Sequence, residues 1–521
     1  GPLASALSGM LDGEGAWILA SETTTGGPVR HETRRRVSGM QSPAVAAVAV
    51  TLLAAVARLP TLGQQSYWLD EGYTVRLVRM SFSGMLHAIP RTESTPPFYY
   101  ALAWVWTRIF GDAEFGLRSL SALAGIATVP VAWAVARRLA GPRAAAIAGL
   151  LVAVSPLLVW FSQEARSYAL ATLLATVSVL CVVGWLQGER DGWLGGWALA
   201  AALGLATHYF VAFIVAPELV LLWRGRRAAR RRLVAAVALV AIVGCALVPL
   251  ALAQRGTGHA DYIAQGALAT RVLQVPKQLL LGYASPGQVL TASLAAAAVL
   301  IGAVWPLAID AEARARAAVP LVVGVAAVAV PMVLAVLGID FLDTRNLLPA
   351  LPVLWIAGSV GFAAPRGWPR GGVLALALAV ISVAVVVLVD ATPRYQRDDW
   401  RGAAAALGPA AGPRAIVVNP GSGMIPLQAY LPRLRALSGS AAVRELDVIS
   451  IPPQTTGAGM AVPARLLGPL PVPAGFRLRR AVYTRTYSAL RYVAPQPVAV
   501  TPAALAPDHL GPGAALALVQ R

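Results

Sequence analysis

Long apolar runs separated by short polar connections are the feature that most constrains how this chain can fold. Hydrophobic residues make up 57% of the 521-residue sequence and charged residues only 13%, whereas a soluble protein carries about 25% charged residues. A helix that crosses a bilayer needs about 20 predominantly apolar residues. The sequence therefore predicts a mainly α-helical protein that crosses a membrane many times.

The apolar runs predict eleven membrane-spanning helices. Their approximate ranges are 43–57, 116–136, 144–161, 167–186, 193–207, 209–223, 232–252, 289–309, 318–338, 347–364 and 372–390. The first also has the basic flank and short core of a signal peptide, but the many later spans favour a signal anchor. Residues 96–110 are short and rich in Trp and Tyr, which predicts a helix along the outer membrane surface.

Arginine placement predicts the orientation of the spans. The net charge is +19, and the arginines cluster between apolar runs, as in 137–143 and 224–232. This placement argues against a nucleic-acid partner and matches the positive charge of cytoplasmic loops. With the amino terminus inside, the acidic connections lie on the outer face of a plasma membrane.

The composition divides the chain into three predicted domains. Residues 1–41 show no periodic pattern of apolar residues, which predicts a disordered cytoplasmic arm. They open with Gly-Pro, as a protease cleavage scar does. Residues 42–390 form the transmembrane domain. Charges, Pro and Gly return in 391–521, which predicts a small α/β domain outside the cytoplasm. Within it, 414–423 has the pattern of a strand and turn, and 424–437 that of a helix.

Adjacent carboxylates follow the first span, at Asp70 and Glu71 in the segment 66–74. Charges that face lipid cost several kcal/mol, so these acids are expected to face a wet or protein-lined cavity. Neighbouring side chains point in different directions, so one acid suits a general base for a hydroxyl and the other a positioning role. The alternative is an ordinary helix start with acids at its positive end.

Further polar residues lie at the predicted outer ends of spans. Glu93 precedes the surface helix and also suits an acid at a helix N-terminus. Glu164 and Arg166 emerge between two spans, where they have the alternative of pairing with each other. His208 also suits a hydrogen-bonded structural residue, and no second histidine has metal-ligand spacing to it, so no metal is expected.

Two cations on the predicted outer side suit an anionic group. Arg345 lies at the predicted outer end of a span, where the excess of positive charge on the cytoplasmic side does not predict an arginine. Its planar guanidinium group fits phosphate oxygens. Lys277, the only lysine in the sequence, lies in an outer connection. Together with the acids, these cations predict a site that binds a hydroxyl and an anion.

Several short motifs in a fixed order resemble one enzyme family. They are LDEGY, E-x-x-P before the aromatic helix, FGLRSLSAL, QEARSYAL, HYF, RNLLPALP and RDDWRGAAAAL. Their order and spacing, over about residues 43–410, resemble glycosyltransferase family 39 of the GT-C superfamily, which includes protein O-mannosyltransferases and lipid A aminoarabinose transferases. The resemblance implies a polytopic GT-C fold, a polyprenyl-phosphate sugar donor and inverting transfer to an acceptor hydroxyl on the outer face. It implies no cofactor and no nucleotide-sugar site.

The resemblance also implies roles for the polar residues. Asp70 matches the family's general base. Arg345 matches a donor-contacting arginine, although Asn346 stands where the family has Tyr. The acceptor and sugar residues expected are Glu71, Glu93, Glu164 and His208, and the donor-phosphate residues are Arg166, Lys277 and Arg345. Mannose is the default sugar of the family. The acceptor stays open among a protein, a peptide, a glycan and a glycolipid.

Two other classes of function also suit a chain of this composition. A transporter or lipid flippase has many spans and intramembrane charges. That class predicts charges in the middle of spans and related halves, whereas here the charges lie at span ends and no internal repeat is visible. A noncatalytic scaffold in a wall-building complex is the third class, and activity that is insensitive to acidic substitutions would favour it.

Overall fold

Apolar helices occupy the chain from Pro43 to Ala391 in the computed structural model, and a small sheet follows them. The structure describes residues 43–188, 190, 192–225, 230–431, 433–451, 472–505 and 515–520. From Pro43 onward the chain packs as one unit. The arm predicted at 1–41 lies outside the described residues.

The helices are numbered here in chain order. They are α1 Pro43–Val56, α2 Leu69–Val78, α3 Phe82–Thr92, α4 Phe98–Phe110, α5 Glu114–Val154, α6 Pro156–Ser162, α7 Tyr168–Leu186, α8 Gly192–Thr207, α9 Ala212–Arg224, α10 Arg230–Arg255, α11 Tyr262–Gln265, α12 Leu268–Leu281, α13 Gln288–Ile309, α14 Ala311–Val336, α15 Ala350–Phe362, α16 Arg370–Ala391, α17 Trp400–Leu407 and α18 Met424–Tyr430.

Six helices of the described chain are long and apolar enough to cross a membrane, namely α5, α7, α10, α13, α14 and α16. Three shorter apolar helices, α1, α8 and α15, accompany them. The mainly helical, multi-pass architecture is therefore confirmed. The count of eleven spans stays a prediction, because several predicted spans are helices shorter than a bilayer requires.

The longest helix, α5, contains a break at the arginine-rich connection predicted between two spans. Ala140 and Gly141 have non-helical backbone angles, and the φ of +79° at Gly141 lies in the region that glycine adopts readily. Beside this break, Arg138 stacks on Trp193 at 5.0 Å. The connections rich in arginine therefore meet other connections at one end of the bundle.

The aromatic helix α4 matches the short surface helix predicted at 96–110. Its 13 residues are too few to span a bilayer. Tyr99 and Tyr100 are buried, whereas Ile109 and Phe110 are exposed, so the helix is amphipathic. Its Trp104 indole donates to Met80 O at 2.9 Å, which holds α4 against the end of α2.

A six-stranded sheet forms the carboxyl-terminal part of the described chain, in the order β2-β6-β1-β3-β5-β4. The strands are β1 Arg414–Asn419, β2 Leu434–Ala436, β3 Ala441–Ser450, β4 Arg477–Tyr483, β5 Ser488–Val500 and β6 Leu516–Gln520. Only β1 and β3 pair in parallel among the described strands. The fully buried β1 confirms the predicted strand.

The helix predicted at 424–437 is shorter than expected. It ends at Tyr430, and Arg433 then has a φ of +61°, which no helix accommodates. Leu434–Ala436 instead forms the edge strand β2 against β6. The spacing of apolar residues in the helix continues into the strand. The sequence pattern alone therefore predicted the end of the helix at the wrong residue.

The sheet region docks closely on α2. Ser66 Oγ donates to Asp398 O at 2.6 Å, and Tyr430 accepts at its hydroxyl from Tyr67 N at 2.6 Å. A Cβ at Gly72 would lie 3.0 Å from Ile425 Cγ2 and from Pro426 N of α18, so a larger residue would require the two helices to shift apart. The contact fixes α2, and therefore Asp70, relative to the sheet.

Candidate active site

A cavity of about 620 Å³ lies where the helix bundle meets the sheet region. One part of the lining is apolar and comes from three helices, α6, α12 and α16, with Pro156, Val159, Leu281, Val385 and Val389. The lining also carries charged side chains, including Asp70, Glu164, Asp343, Arg345 and Arg397. A cavity with an apolar part and a charged part suits a ligand that has both apolar and charged groups.

Asp70 lies in the first turn of α2 and faces this cavity with 23% of its side chain exposed. Its carboxylate accepts from Arg345 Nη1 at 2.8 Å. Arg345 Nε also lies 3.2 Å from Asp343, so one guanidinium bridges two carboxylates. The structure thus brings together Asp70 and Arg345, as the sequence predicted.

Asp343 holds the short turn that carries Arg345. Its Oδ1 accepts from the backbone N–H of Arg345 at 3.2 Å and from the Tyr283 hydroxyl at 3.0 Å. Burial raises the pKa of Asp343, although both of these hydrogen bonds oppose the shift. Asp343 therefore orients Arg345 toward the cavity.

Glu164 is fully buried at the cavity wall. Its Oε2 lies 3.2 Å from Arg397 Nη2, and its Oε1 has no hydrogen-bond partner among the described residues. Burial raises the pKa of Glu164 to about 7, against the attraction of Arg397. Arg397 also stacks on Trp160 at 4.2 Å. Glu164 thus presents an uncommitted oxygen to the site.

Glu71, which the sequence predicts to contact acceptor or sugar, does not line the cavity. Both of its oxygens accept from Arg118, at 2.7 and 2.6 Å, and Oε1 also accepts from Ala165 N at 2.8 Å. Burial alone would raise the pKa of Glu71, but Arg118 and the amide hold it below its ordinary value. The adjacent acids of α2 therefore face different surroundings, as their spacing required.

Glu93 and Arg166 pair with each other behind α2, at 2.7 Å. Tyr100 donates to the same Glu93 oxygen at 2.5 Å, and Arg166 also donates to Asp70 O at 3.2 Å. Burial raises the pKa of Glu93 despite Arg166. These contacts make the pair a support for the backbone of α2, and neither residue belongs to the cavity lining.

The structure does not bring Lys277 or His208 to the cavity lining either. Lys277 Nζ donates to Tyr283 O at 2.5 Å. His208 Nδ1 accepts from Phe210 N at 3.2 Å, and burial lowers the pKa of His208 to about 3. The imidazole is therefore neutral and caps a short turn, which was the structural alternative for this residue. The described residues contain no group of three or more side chains suited to a metal ion.

Both the sequence and the fold are similar to those of known proteins. Residues 94–249 match the family described as dolichyl-phosphate-mannose-protein mannosyltransferase. The fold matches the crystal structure of ArnT from Cupriavidus metallidurans bound to undecaprenyl phosphate, with a TM-score of 0.53, 13% identity and coverage of 86% of this chain and 97% of that chain. Residues 94–249 thus resemble that family, and the fold resembles that of ArnT.

Two further solved structures are similar to this chain at lower TM-scores. ArnT from Cupriavidus metallidurans in the apo state is 17% identical, with a TM-score of 0.46 and coverage of 70% of this chain and 68% of that chain. The Archaeoglobus fulgidus oligosaccharyltransferase with Zn and sulfate is 14% identical, with a TM-score of 0.42 and coverage of 70% and 55%. Neither adds to the fold assignment. No significant relative was found among curated sequences.

The candidate site includes residues to which the sequence interpretation gave no role. Asp343 lies two positions before Arg345, and its sequence FLDTRN has the pattern of a capped turn. Arg397 opens the RDDW motif, which contributed to the resemblance without a role. Asp343 contacts Tyr283 across 60 positions and Arg397 contacts Glu164 across 233, so their place in the cavity required the fold.

Proposed function

We propose that this chain is a GT-C glycosyltransferase that moves mannose from a polyprenyl-phosphate carrier to a protein hydroxyl, with inversion at the anomeric carbon. The observation that carries the proposal is the contact of Asp70 with Arg345 inside a cavity that has an apolar wall. The matching family's description names a dolichyl-phosphate-mannose donor and a protein acceptor. The related ArnT structure contains undecaprenyl phosphate, which is a carrier lipid of the same class.

The apolar and charged parts of the cavity lining suit the two parts of this donor. The polyprenyl chain packs on the apolar residues of α6 and α16, such as Val159 and Val385. The phosphate lies against Arg345, whose planar fork matches phosphate oxygens in a bidentate way. Glu164 accepts hydrogen bonds from sugar hydroxyls through its unpaired oxygen.

Donor binding prepares Asp70 for catalysis in this mechanism. Arg345 exchanges its contact with the Asp70 carboxylate for one with the donor phosphate. The released carboxylate then accepts the proton of the acceptor hydroxyl, which is the role of a general base. Asp343 keeps its contact with Arg345 and holds the guanidinium in place.

The chemical step is a single displacement. The acceptor oxygen forms a bond to C1 of the sugar while its proton passes to Asp70. The bond between C1 and the phosphate oxygen breaks, and its electron pair leaves with the lipid phosphate. Arg345 stabilises the charge that develops on that oxygen, a contribution of about 3 to 4 kcal/mol for a preorganised donor.

The supporting residues act through the position of α2 in this proposal. Glu71 with Arg118 and Glu93 with Arg166 fix the helix that carries Asp70. Arg138 and Trp193, which stack beside the break in α5, do not line the cavity. Positive loops face the cytoplasm, which supports the part of the proposal that has the cavity and the sheet region outside the plasma membrane.

The test is transfer by the purified protein in detergent. Undecaprenyl-phosphate mannose and a Ser/Thr-containing peptide are supplied, and mass spectrometry follows the peptide for a gain of one hexose. Carriers with glucose and with aminoarabinose in place of mannose test the choice of sugar. A lipid flippase forms no product in detergent, because no bilayer separates two faces, so unchanged donor and peptide would contradict the proposal.

A further inference from the structure

Two arginines lie at another part of the cavity lining that the proposed mechanism does not use. Arg394 belongs to the short turn Pro393–Tyr395 that follows α16. Arg485 lies in the turn between β4 and β5. Both are exposed and both line the cavity that contains Asp70. The sheet region therefore contributes positive charge directly to the site.

The two guanidinium groups differ from the other arginines of the cavity. Arg345 and Arg397 each pair with a carboxylate, at 2.8 and 3.2 Å. Within the part of the chain that the structure describes, no carboxylate forms an ion pair with Arg394 or Arg485. Asp390, which lines the same region, accepts from the Thr61 hydroxyl at 3.0 Å. The charge of both arginines is thus available to a ligand.

The backbone that carries Arg485 is held in place by hydrogen bonds. Thr484 Oγ1 accepts from Thr486 N at 3.2 Å and from Tyr487 N at 2.9 Å. The Thr486 hydroxyl donates to Asp399 at 3.4 Å, which ties the turn to the helix region. Arg394 stacks on the ring of Tyr395 at 4.6 Å. Binding an anion therefore needs little reordering of the turn that carries Arg485 or of the Arg394 side chain.

Positive charge continues from this turn along β4. Arg477, Arg479 and Arg480 are exposed on this strand, which pairs only with β5 among the described strands. Arginines on an edge strand also discourage pairing with other chains, which explains these three without a ligand. That explanation does not extend to Arg394 and Arg485, because neither lies in a strand.

We propose that Arg394 and Arg485 form an acceptor subsite for a peptide that carries an acidic side chain near the accepting Ser or Thr. The inference rests on the proposed transfer to a protein hydroxyl and adds the class of peptide that is preferred. A carboxylate held by the two guanidinium groups places a neighbouring hydroxyl in the cavity that contains Asp70. The arginines of β4 bind further acidic residues of the same peptide.

The experiment compares two peptides that differ only in charge. One carries Asp residues beside the acceptor Thr, and the other carries Asn at the same positions. Binding of the labelled peptides to the full chain in phosphatidylcholine nanodiscs is measured by fluorescence anisotropy, and transfer from undecaprenyl-phosphate mannose is measured in parallel. We expect the acidic peptide to bind about tenfold more tightly, since charge-assisted hydrogen bonds to arginine supply a factor of this order.

The double variant R394Q/R485Q is expected to bind both peptides with equal affinity. The matched control is R435Q, because Arg435 is exposed on β2 at the opposite edge of the sheet. The R435Q protein should keep the preference for the acidic peptide.

A wild-type protein without the preference, or a double variant that keeps it, overturns the inference. If the variant instead loses copurified anionic phospholipid while its peptide preference persists, the arginines bind a lipid headgroup and the inference also fails. A clear binding preference without transfer contradicts the proposed function alone.

Discussion

Arg345 donates to the carboxylate of Asp70 at 2.8 Å although the two residues are 275 positions apart. The same guanidinium lies 3.2 Å from Asp343. Before the donor binds, Arg345 is therefore shared between two carboxylates. A lipid phosphate then competes with these carboxylates for the guanidinium group. The proposed base and the proposed phosphate ligand are coupled by direct contact.

The first prediction concerns Asp70. D70N keeps the size of the side chain and removes its basicity, so the transfer rate should fall by about 10² to 10⁴, the usual contribution of a general base. Donor binding should persist, because Arg345 stays in place. The matched control is D112N, since Asp112 pairs with Arg79 on the exposed surface. Full activity of D70N in a folded preparation would exclude Asp70 as the base.

The second prediction concerns Arg345. R345Q should lower kcat/KM for the donor by about 10² to 10³, as the loss of one charge-stabilising donor does. The KM for the acceptor peptide should change much less, because the acceptor does not contact this guanidinium. R345K should recover little, since a lysine lacks the bidentate fork. Steady-state kinetics with each substrate varied separately gives the answer, and equal effects on both substrates would argue against a phosphate role.

The third prediction concerns the buried pair of Glu71 and Arg118. Neither side chain is exposed by more than 1%, and breaking a buried pair of this kind costs about 3 to 5 kcal/mol. E71Q should therefore lower the thermal stability of the detergent-solubilised protein strongly. E312Q is the comparison, because the pair of Glu312 with Arg316 is exposed and contributes about 0 to 1 kcal/mol.

That experiment also separates a structural role of Glu71 from the acceptor contact that the sequence suggested. A structural role predicts that E71Q molecules which stay folded bind acceptor with an unchanged KM. A raised KM at unchanged stability would restore the acceptor role. Thermal unfolding and acceptor titration on the same preparation distinguish the two results.

The sequence predicted helices where apolar periodicity was long, because burial in lipid or in a bundle dictates composition over a whole run. It placed Asp70, Glu164 and Arg345 in one cavity because all three lie at the ends of apolar runs. The ion-pair partner of each acid could not be predicted in this way. Glu71 contacts Arg118 across 47 positions, and Glu164 contacts Arg397 across 233.

Such pairings depend on how helices pack, and no local pattern carries that information. Arg166 illustrates the difficulty, since its spacing from Glu164 suggested a pair. In the structure, Arg166 instead pairs with Glu93, and Glu164 pairs with Arg397. Short elements were equally uncertain, as at Leu434–Ala436, where an apolar pattern was compatible with both helix and strand.

The last prediction is a pH dependence that belongs to Glu164. Its pKa is raised by burial from an ordinary value of 4.5 to about 7. The ionised form, which pairs with Arg397 and accepts from the sugar, therefore prevails only above about pH 7. Donor kcat/KM should rise between pH 6 and 8 with a midpoint near 7, and E164Q should lose this rise. His208 does not supply the same midpoint, because its pKa of about 3 keeps the imidazole neutral throughout.

Stability should change with pH in the opposite sense. A carboxyl whose pKa is raised by folding stabilises the folded state below its ordinary pKa, and that contribution is lost as the pH rises through about 7. Relative to E164Q, the wild-type protein should therefore unfold at a lower temperature as the buffer is changed from pH 5 to pH 8. Activity and stability that both rise with pH would contradict a buried, proton-binding Glu164, because a single raised pKa makes the two quantities diverge.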